Sequence, residues 1–207
     1  MKGFVPLALL FTFVLVGCLS GSGEKIDPPP VSGQIYPLGI GNSWVWQVSK
    51  YRFDGQLTEV RFDSMRVVDT IRINGEKWFQ RRYAASNLSF AIVDTITLRS
   101  TGFFLYISAV GGARLFYKYP GALSEETVFL PYTIIIESND LTQEFPIGVL
   151  QHCYVYRVKR SDRTTVSQQI LSPNVGFVKE TVYDSTYTPA PGTYVSQRTD
   201  LLSYNVH

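Results

Sequence analysis

Apolar and polar positions alternate along most of the chain from residue 44 onward, and turn signals recur about every 8 to 15 residues. A period of two is typical of half-buried β-strands, and this region lacks a helix-length stretch with a 3.6-residue period. The pattern predicts an all-β domain built as a single antiparallel meander of about ten strands. Because a twisted sheet of that size curls, we expect a half-barrel or an open barrel, with a β-sandwich as the alternative.

One predicted strand departs from simple alternation. In residues 58–73 the apolar positions change parity between Phe62 and Met65. A β-bulge at residues 63–64 would place the apolar side chains before and after it on one face, because a bulge adds one residue to the strand. We therefore expect a bent strand with its apolar side chains facing the core and a bulge at its centre.

A second departure lies in the middle of the chain. The apolar run 128–136 contains Pro131, which has no N–H group to donate to a neighbouring strand, so we expect an edge or a bulge there. The turn-forming residues between 138 and 148 predict a longer loop.

The first eighteen residues have the pattern of an export signal. Lys2 is followed by the uncharged apolar run 4–16, which leads into Gly17 and Cys18. This run has 13 residues, whereas a membrane-spanning helix needs about 20, so we expect a signal peptide. The stretch resembles the lipobox of bacterial lipoprotein precursors, in which a small residue precedes a cysteine that is acylated.

The lipobox resemblance implies a division of the chain into three parts. Residues 1–17 are the signal peptide, residues 18–32 are a lipidated Gly/Ser- and Pro-rich tether, and residues 33–207 form a single β domain. Cys18 is the lipidated residue, and its acyl chains attach the protein to a membrane. Leu19 follows the cysteine in place of an acidic residue, which resembles the sorting pattern of outer-membrane lipoproteins in a bacterial cell envelope.

Charge and cysteine content narrow the function further. The formal net charge is +2, which is no electrostatic footprint for nucleic acid. Lipidation of Cys18 leaves Cys153 as a lone thiol, so no disulfide can form within the chain. Stability must then come from packing, and the 14% aromatic content suits pleated, half-buried strands.

Three further stretches resemble landmarks of a group of uncharacterised bacterial envelope lipoproteins. They are residues 37–46, residues 68–78 and residues 172–180. The resemblance implies a curved antiparallel sheet similar to the half-barrels of lipoprotein carrier proteins. Glycine and asparagine in these stretches suit turns and tryptophan suits a core, so the landmarks supply no catalytic residues.

Residues that often carry catalysis are few. The chain has only two histidines, His152 and His207, and a Ser-His-acid triad needs a placed imidazole. We expect His152 to be a partly buried histidine satisfied by a hydroxyl or backbone group. His152 and Cys153 are neighbours on a predicted strand and point to opposite faces, so we expect no metal site there.

Asp94 interrupts an otherwise apolar strand face. A carboxylate there is costly unless it is paired or hydrogen-bonded. We expect a bulge at residues 94–95 or pairing with Arg81, Arg82 or another basic residue, and the functional alternative is an acid with a raised pKa or a ligand anchor.

The sequence therefore predicts a non-enzymatic, outer-membrane-type lipoprotein whose curved sheet binds an apolar ligand or an envelope partner. The alternatives are a structural or surface-interaction lipoprotein with a filled core and, least favoured, a glycan-active or hydrolytic enzyme. We expect no cofactor other than the covalent lipid on Cys18, no metal and no nucleic acid. The candidate ligand-lining residues are Trp44, Trp46, Asp94, Phe104, Tyr106, Tyr154 and Tyr156.

Overall fold

The computed structural model of the protein describes residues 33–85, 92–108, 111–162, 164–186 and 192–207. The predicted signal peptide, Cys18 and the tether lie outside the described residues. Twelve strands form the fold: β1 (Ser43–Tyr51), β2 (Leu57–Ile73), β3 (Glu76–Ala85), β4 (Ile92–Arg99), β5 (Gly102–Ile107), β6 (Gly112–Lys118), β7 (Glu126–Phe129), β8 (Tyr132–Phe145), β9 (Gly148–Arg160), β10 (Thr165–Ser172), β11 (Gly176–Thr186) and β12 (Gly192–Asn205).

All twelve strands belong to one antiparallel sheet in the order β6-β5-β4-β3-β2-β1-β12-β11-β10-β9-β8-β7. The first and last strands pair, with Ser43 opposite Asn205, and the sheet curls into a nearly closed barrel. One seam between β6 and β7 is not sealed by strand pairing. The rings of Phe116 and Phe129 meet across this seam with centroids 4.9 Å apart. The predicted meander and open barrel are confirmed, and the single sheet replaces the β-sandwich alternative.

The barrel has twelve strands, slightly more than the expected number of about ten, and Pro131 accounts for one additional strand. The run 128–136 is divided into β7 and β8, and Pro131 lies in the turn between them, where no N–H group is needed. The predicted loop at 138–148 is wrong: β8 continues to Phe145 through several register shifts, and only a tight turn separates it from β9.

The two-residue turn at Asn74-Gly75 fixes the β2–β3 hairpin. Ile73 pairs with Glu76 across it. Both central residues have positive φ, 52° for Asn74 and 82° for Gly75, as a type I′ turn requires. The hairpin therefore has the register that this turn sequence favours.

The predicted bulge at residues 63–64 is wrong. β2 pairs with β1 in unbroken register through this region, with Asp63 opposite Trp46 and Arg61 opposite Val48. A register shift occurs instead between Val67 and Asp69, against β3. Because side chains alternate strictly along an unbroken strand, Asp63 and Arg61 point to the same face as Trp46 and Val48, which is the barrel interior.

The same register places two large apolar residues of β2 on the outer face. Val60 is 46% exposed and Phe62 is 51% exposed. The alternation of apolar and polar residues is therefore inverted in the first half of β2, with charges inside and apolar side chains outside. This inversion gives the barrel interior a charged wall.

Aromatic packing fills the end of the barrel at which β1 begins. Trp44 and Tyr156 have no exposed surface. The indole N–H of Trp44 donates to the carbonyl of Val175 at 2.6 Å, so its polar atom is satisfied within the core. Residues before β1 contribute Ile35 and Tyr36 to this core, and the Tyr36 ring lies 4.9 Å from the Trp44 ring. This end of the barrel is closed by packed side chains.

Candidate functional site

Two adjoining cavities lie inside the barrel, beyond the packed core. One has a volume of about 260 Å³ and the other about 470 Å³. Phe116 and Glu180 line both of them. The cavities extend toward the end of the barrel at which β1 ends and β2 begins. Pockets that hold small molecules have volumes of about 300–1,000 Å³, so the paired cavities offer room for a ligand.

The larger cavity has a mainly apolar wall with a polar rim. Inward-facing residues of consecutive strands form it, including Phe129, Ile134, Val158 and Val182. Along β7, β8 and β9 one side chain in every two lies on this face, whereas the register shift of β11 after Val182 lets consecutive residues line the cavity. The exposed Arg160 and Asp184, of opposite charge, also line this cavity.

The smaller cavity has a charged wall made by the inverted part of β2 and by β3. Arg61 Nε donates to Asp63 Oδ1 at 3.0 Å, and the Tyr83 hydroxyl donates to the other oxygen of Asp63. Burial, reinforced by the charge of Asp63, raises the pKa of Tyr83 to about 12, so Tyr83 remains a hydrogen-bond donor at neutral pH. Glu59 and Lys50 extend this network toward the end of the barrel, with Lys50 Nζ 2.9 Å from Glu59.

A second ion pair joins β3 to β4. Arg81 Nε and Nη2 donate to the two carboxylate oxygens of Asp94 at 2.9 and 2.7 Å, a bidentate arrangement. The guanidinium also lies over the rings of Tyr36 and Phe103, 5.2 and 5.3 Å from their centroids. Burial raises the pKa of Tyr36 to about 12, although the positive charge of Arg81 acts against that rise. Of the two structural alternatives for Asp94, the structure shows pairing with Arg81 and a continuous register at residues 94–95.

A third polar group lies where the two cavities meet. The Tyr117 hydroxyl donates to Gln169 Oε1 at 2.5 Å, and Gln169 Nε2 donates to Glu180 Oε1 at 2.6 Å. Burial, followed by the negative charge of Glu180, raises the pKa of Tyr117 well above its usual range, which keeps this phenol neutral. Among the described residues, no Lys, Arg or His forms an ion pair with Glu180.

The predicted ligand-lining residues are distributed over three environments. Trp46 lines the smaller cavity, and Asp94 is held against Arg81, which lines it too. Trp44, Tyr154 and Tyr156 belong to the packed core.

Phe104 and Tyr106 lie on the outer face of the barrel. Phe104 pairs with Thr97, one residue out of phase with the inward-facing Ile96, and its ring lies under the guanidinium of Arg99 at 4.4 Å. The Tyr106 ring packs against Trp78 with centroids 5.5 Å apart. The structure therefore does not bring these two residues to the cavities.

Several cavity-lining residues were not identified from the sequence. They are Tyr36, Arg61, Asp63, Arg81, Tyr83 and Glu180. Arg61 and Asp63 of β2 could have been identified from the pairing of β1 with β2. A continuous register opposite the inward-facing Trp46 and Val48 requires Asp63 and Arg61 to face inward as well.

His152 lies on the outside of the barrel, away from both cavities. Its Nδ1 is 2.6 Å from Asp140 Oδ1, and both side chains are exposed. The partner of His152 is therefore a carboxylate, and the expected partner, a hydroxyl or backbone group, is wrong, whereas the residue as a whole is partly buried, as expected. Within the described ranges, no three His, Cys, Asp or Glu side chains group together as metal ligands. In the same part of the chain, no helix is long and apolar enough to cross a membrane.

The arrangement is suited to binding. The interior combines an apolar space with fixed hydrogen-bonding groups, which is the usual composition of a small-molecule pocket. Arg61 is neutralised by Asp63, and Arg81 is neutralised by Asp94. These ion pairs hold the charged side chains in place, so the polar groups of the cavity wall have fixed positions. The site can therefore accept a ligand that has an apolar part and a polar part.

Comparisons with known proteins support the fold. No family model matches the sequence, and no curated protein matches it. A crystal structure from Bacteroides fragilis, of a protein described as exported and as having a YmcC-like fold, is 10% identical with a TM-score of 0.50, over 84% of this chain and 99% of that chain. A structure from Parabacteroides distasonis, described as a lipoprotein, is 17% identical with a TM-score of 0.48 over 84% of this chain and 99% of that chain.

A third structure is more distant. A domain from Vibrio parahaemolyticus, described as an outer membrane lipoprotein-sorting protein domain, is 9% identical with a TM-score of 0.24, over 82% of this chain and 86% of that chain. Of the three, the Bacteroides fragilis structure supports the overall architecture of the barrel, and at its level of identity the likeness extends to the fold alone.

Proposed function

We propose that the protein is a lipid-anchored, non-enzymatic component of a bacterial envelope that binds an amphipathic small molecule inside its barrel. The observation that carries the proposal is the pair of adjoining cavities, one mainly apolar and one with a charged wall. An apolar part of the ligand occupies the larger cavity, where each CH₂ group removed from water contributes about 0.8 kcal/mol. The polar part faces the smaller cavity.

The proposed location follows from the N-terminal sequence. Lys2, the apolar run 4–16, Gly17 and Cys18 form the lipobox pattern, and Leu19 fits sorting to the outer membrane. The tether at 18–32 places the barrel near the membrane surface, where amphipathic molecules are concentrated.

Binding is tested with a variant that fills the larger cavity. Val182 lines this cavity, whereas its neighbour Thr181 does not: the register of β11 with β12 is unbroken from Lys179 to Val182, so Thr181 points to the opposite, outer face. Native mass spectrometry of protein purified from membranes is expected to find a bound small molecule in the wild type and in Thr181→Trp, with strongly reduced occupancy in Val182→Trp. A wild-type protein free of ligand in these spectra contradicts the proposal, and so does equal occupancy in the two variants.

A structural or surface-interaction lipoprotein is the second candidate. The observation that favours it is the packed end of the barrel, where Trp44, Tyr156 and Leu171 have no exposed surface. A reproducible protein partner in envelope pull-downs, together with ligand-free wild-type protein, would favour this function over small-molecule binding.

A further inference from the structure

Among the described residues that line the smaller cavity, one charged side chain has no ion-pair partner. Arg61 pairs with Asp63, and Arg81 pairs with Asp94, so each pair contributes no net charge to the smaller cavity. Glu180 also lines this cavity, and no ion pair to it exists among the described residues. Because Arg61 and Arg81 are already engaged by Asp63 and Asp94, Glu180 is a carboxylate of the cavity wall that no cation of the described residues neutralises through an ion pair.

Glu180 is positioned to meet a ligand. One of its oxygens accepts the hydrogen bond from Gln169, which fixes the side chain, and Glu180 lines both cavities. A carboxylate in a partly enclosed cavity is stabilised by a cation or by further hydrogen bonds. Among the described residues, no group donates to the second oxygen of Glu180, and because this oxygen is not fully buried, it is accessible from the cavity.

Aromatic rings complete the surroundings of this carboxylate. Phe116, Tyr117 and Phe177 line the smaller cavity together with Glu180. The faces of aromatic rings carry partial negative charge and attract ammonium groups within about 6 Å of the ring centroid. A carboxylate beside several aromatic rings is thus complementary to an ammonium group and unfavourable for an anion.

Together these observations define the chemistry of the ligand. We infer that the bound molecule is a cationic amphiphile, whose protonated amine or ammonium group rests against Glu180 and whose apolar part fills the larger cavity. This inference rests on the proposed function and adds the charge of the ligand to it. The inference covers a free long-chain amine and a lipid with an ammonium headgroup alike, because both present the same group to the carboxylate.

Probes of equal chain length and different charge test the inference. Decylamine, decanol and decanoic acid are titrated below their micelle-forming concentrations at pH 7 by isothermal calorimetry. We expect decylamine to bind at least about tenfold more tightly than decanol, equivalent to about 1.4 kcal/mol, and decanoate to bind more weakly than decanol.

A fourth probe separates the two sources of the ammonium group, a free amine and a lipid headgroup. Decyl lysophosphatidylethanolamine adds a phosphate next to the ammonium. Tighter binding than decylamine indicates a phospholipid headgroup, and weaker binding indicates a free amine.

The variant Glu180→Gln removes the charge and keeps the side-chain shape. Gln169 retains an oxygen to which it can donate, so the fold is preserved, and circular dichroism checks this. Glu144→Gln is the matched control, because Glu144 is an exposed residue of β8 that lines neither cavity. We expect Glu180→Gln to abolish the preference for decylamine over decanol and Glu144→Gln to retain it.

The titrations test separately whether the barrel binds a ligand and whether that ligand is cationic. If decanol or decanoate binds as tightly as decylamine, or if Glu180→Gln retains the preference, the inference on charge is overturned while ligand binding stands. If none of the probes binds to the wild-type protein, ligand binding in the barrel is contradicted and the inference fails with it.

Discussion

The ion pair between Arg81 and Asp94 gives the most direct test of the polar interior. The Arg81 side chain is only 9% exposed, and Asp94 is its bidentate partner. Replacement Asp94→Ala leaves the guanidinium buried without a counter-ion, because the aromatic rings of Tyr36 and Phe103 cannot replace a carboxylate as acceptors. We therefore expect Asp94→Ala to destabilise the barrel.

The size of the loss follows from burial. Breaking a fully buried ion pair costs about 3–5 kcal/mol. Asp94 is 37% exposed, so water reaches the site and the screened cost is about 2 kcal/mol. For a domain of this size, 1 kcal/mol corresponds to about 2–4 °C, so the melting temperature is expected to fall by about 4–8 °C.

Urea unfolding followed by tryptophan fluorescence measures the free energy of unfolding. The control is Asp200→Ala, since Asp200 lies 3.9 Å from Lys179 in a loose pair whose cation is 28% exposed, compared with 9% for Arg81, and its loss costs less than about 1 kcal/mol. The double variant Arg81→Met/Asp94→Ala should lose less than the sum of the two single variants, with a coupling of about 1–3 kcal/mol. Equal losses in Asp94→Ala and Asp200→Ala, or strict additivity, would refute the account of the buried pair.

Two further predictions concern the cysteines. Cys153 has no exposed surface and burial raises the pKa of its thiol, so thiol reagents should label it only after unfolding in urea, and rapid labelling of the folded protein would contradict its burial. Mass spectrometry of the mature N-terminus should find acylated Cys18 as the first residue, whereas cleavage elsewhere with an unmodified terminus would remove the lipid anchor from the account.

Much of the fold follows from local patterns. Alternation along the chain predicts the meander, and Asn74-Gly75 predicts the tight β2–β3 turn that the structure contains. Pro131 indicates an interruption of the run 128–136, but local pattern does not distinguish the predicted edge or bulge from the turn that separates β7 from β8. These features depend on residues that are close together in the sequence, so the sequence alone is enough to predict them.

The site depends on pairing between strands and is less accessible from sequence. Val60 and Phe62 have the composition of a core face, and a bulge was needed to reconcile them with Met65. The unbroken register with β1 overrides that local preference and turns Arg61 and Asp63 inward. Departures of this kind, where a rule of local pattern is broken in favour of buried charge, are typical of functional sites.

The cation-binding carboxylate is harder still to foresee. Glu180 looks like an ordinary polar residue of an alternating strand, and its contact with Gln169 joins residues of β11 and β10. That Glu180 has no ion-pair partner among the described residues becomes visible only when the inward-facing charges are counted around the whole barrel. The sequence of residues 172–180 alone therefore could not identify Glu180 as a cavity-lining carboxylate.

We propose that the ligand lies in the two adjoining cavities of the barrel, and a heavy-atom label can locate it there. Crystals grown with decylamine brominated at the end of its chain should show anomalous bromine density in the larger cavity, near Phe129 and Val182. The amine should lie within hydrogen-bonding distance of Glu180. Bromine density found only on the outer face of the barrel, with both cavities free of it, would contradict the account.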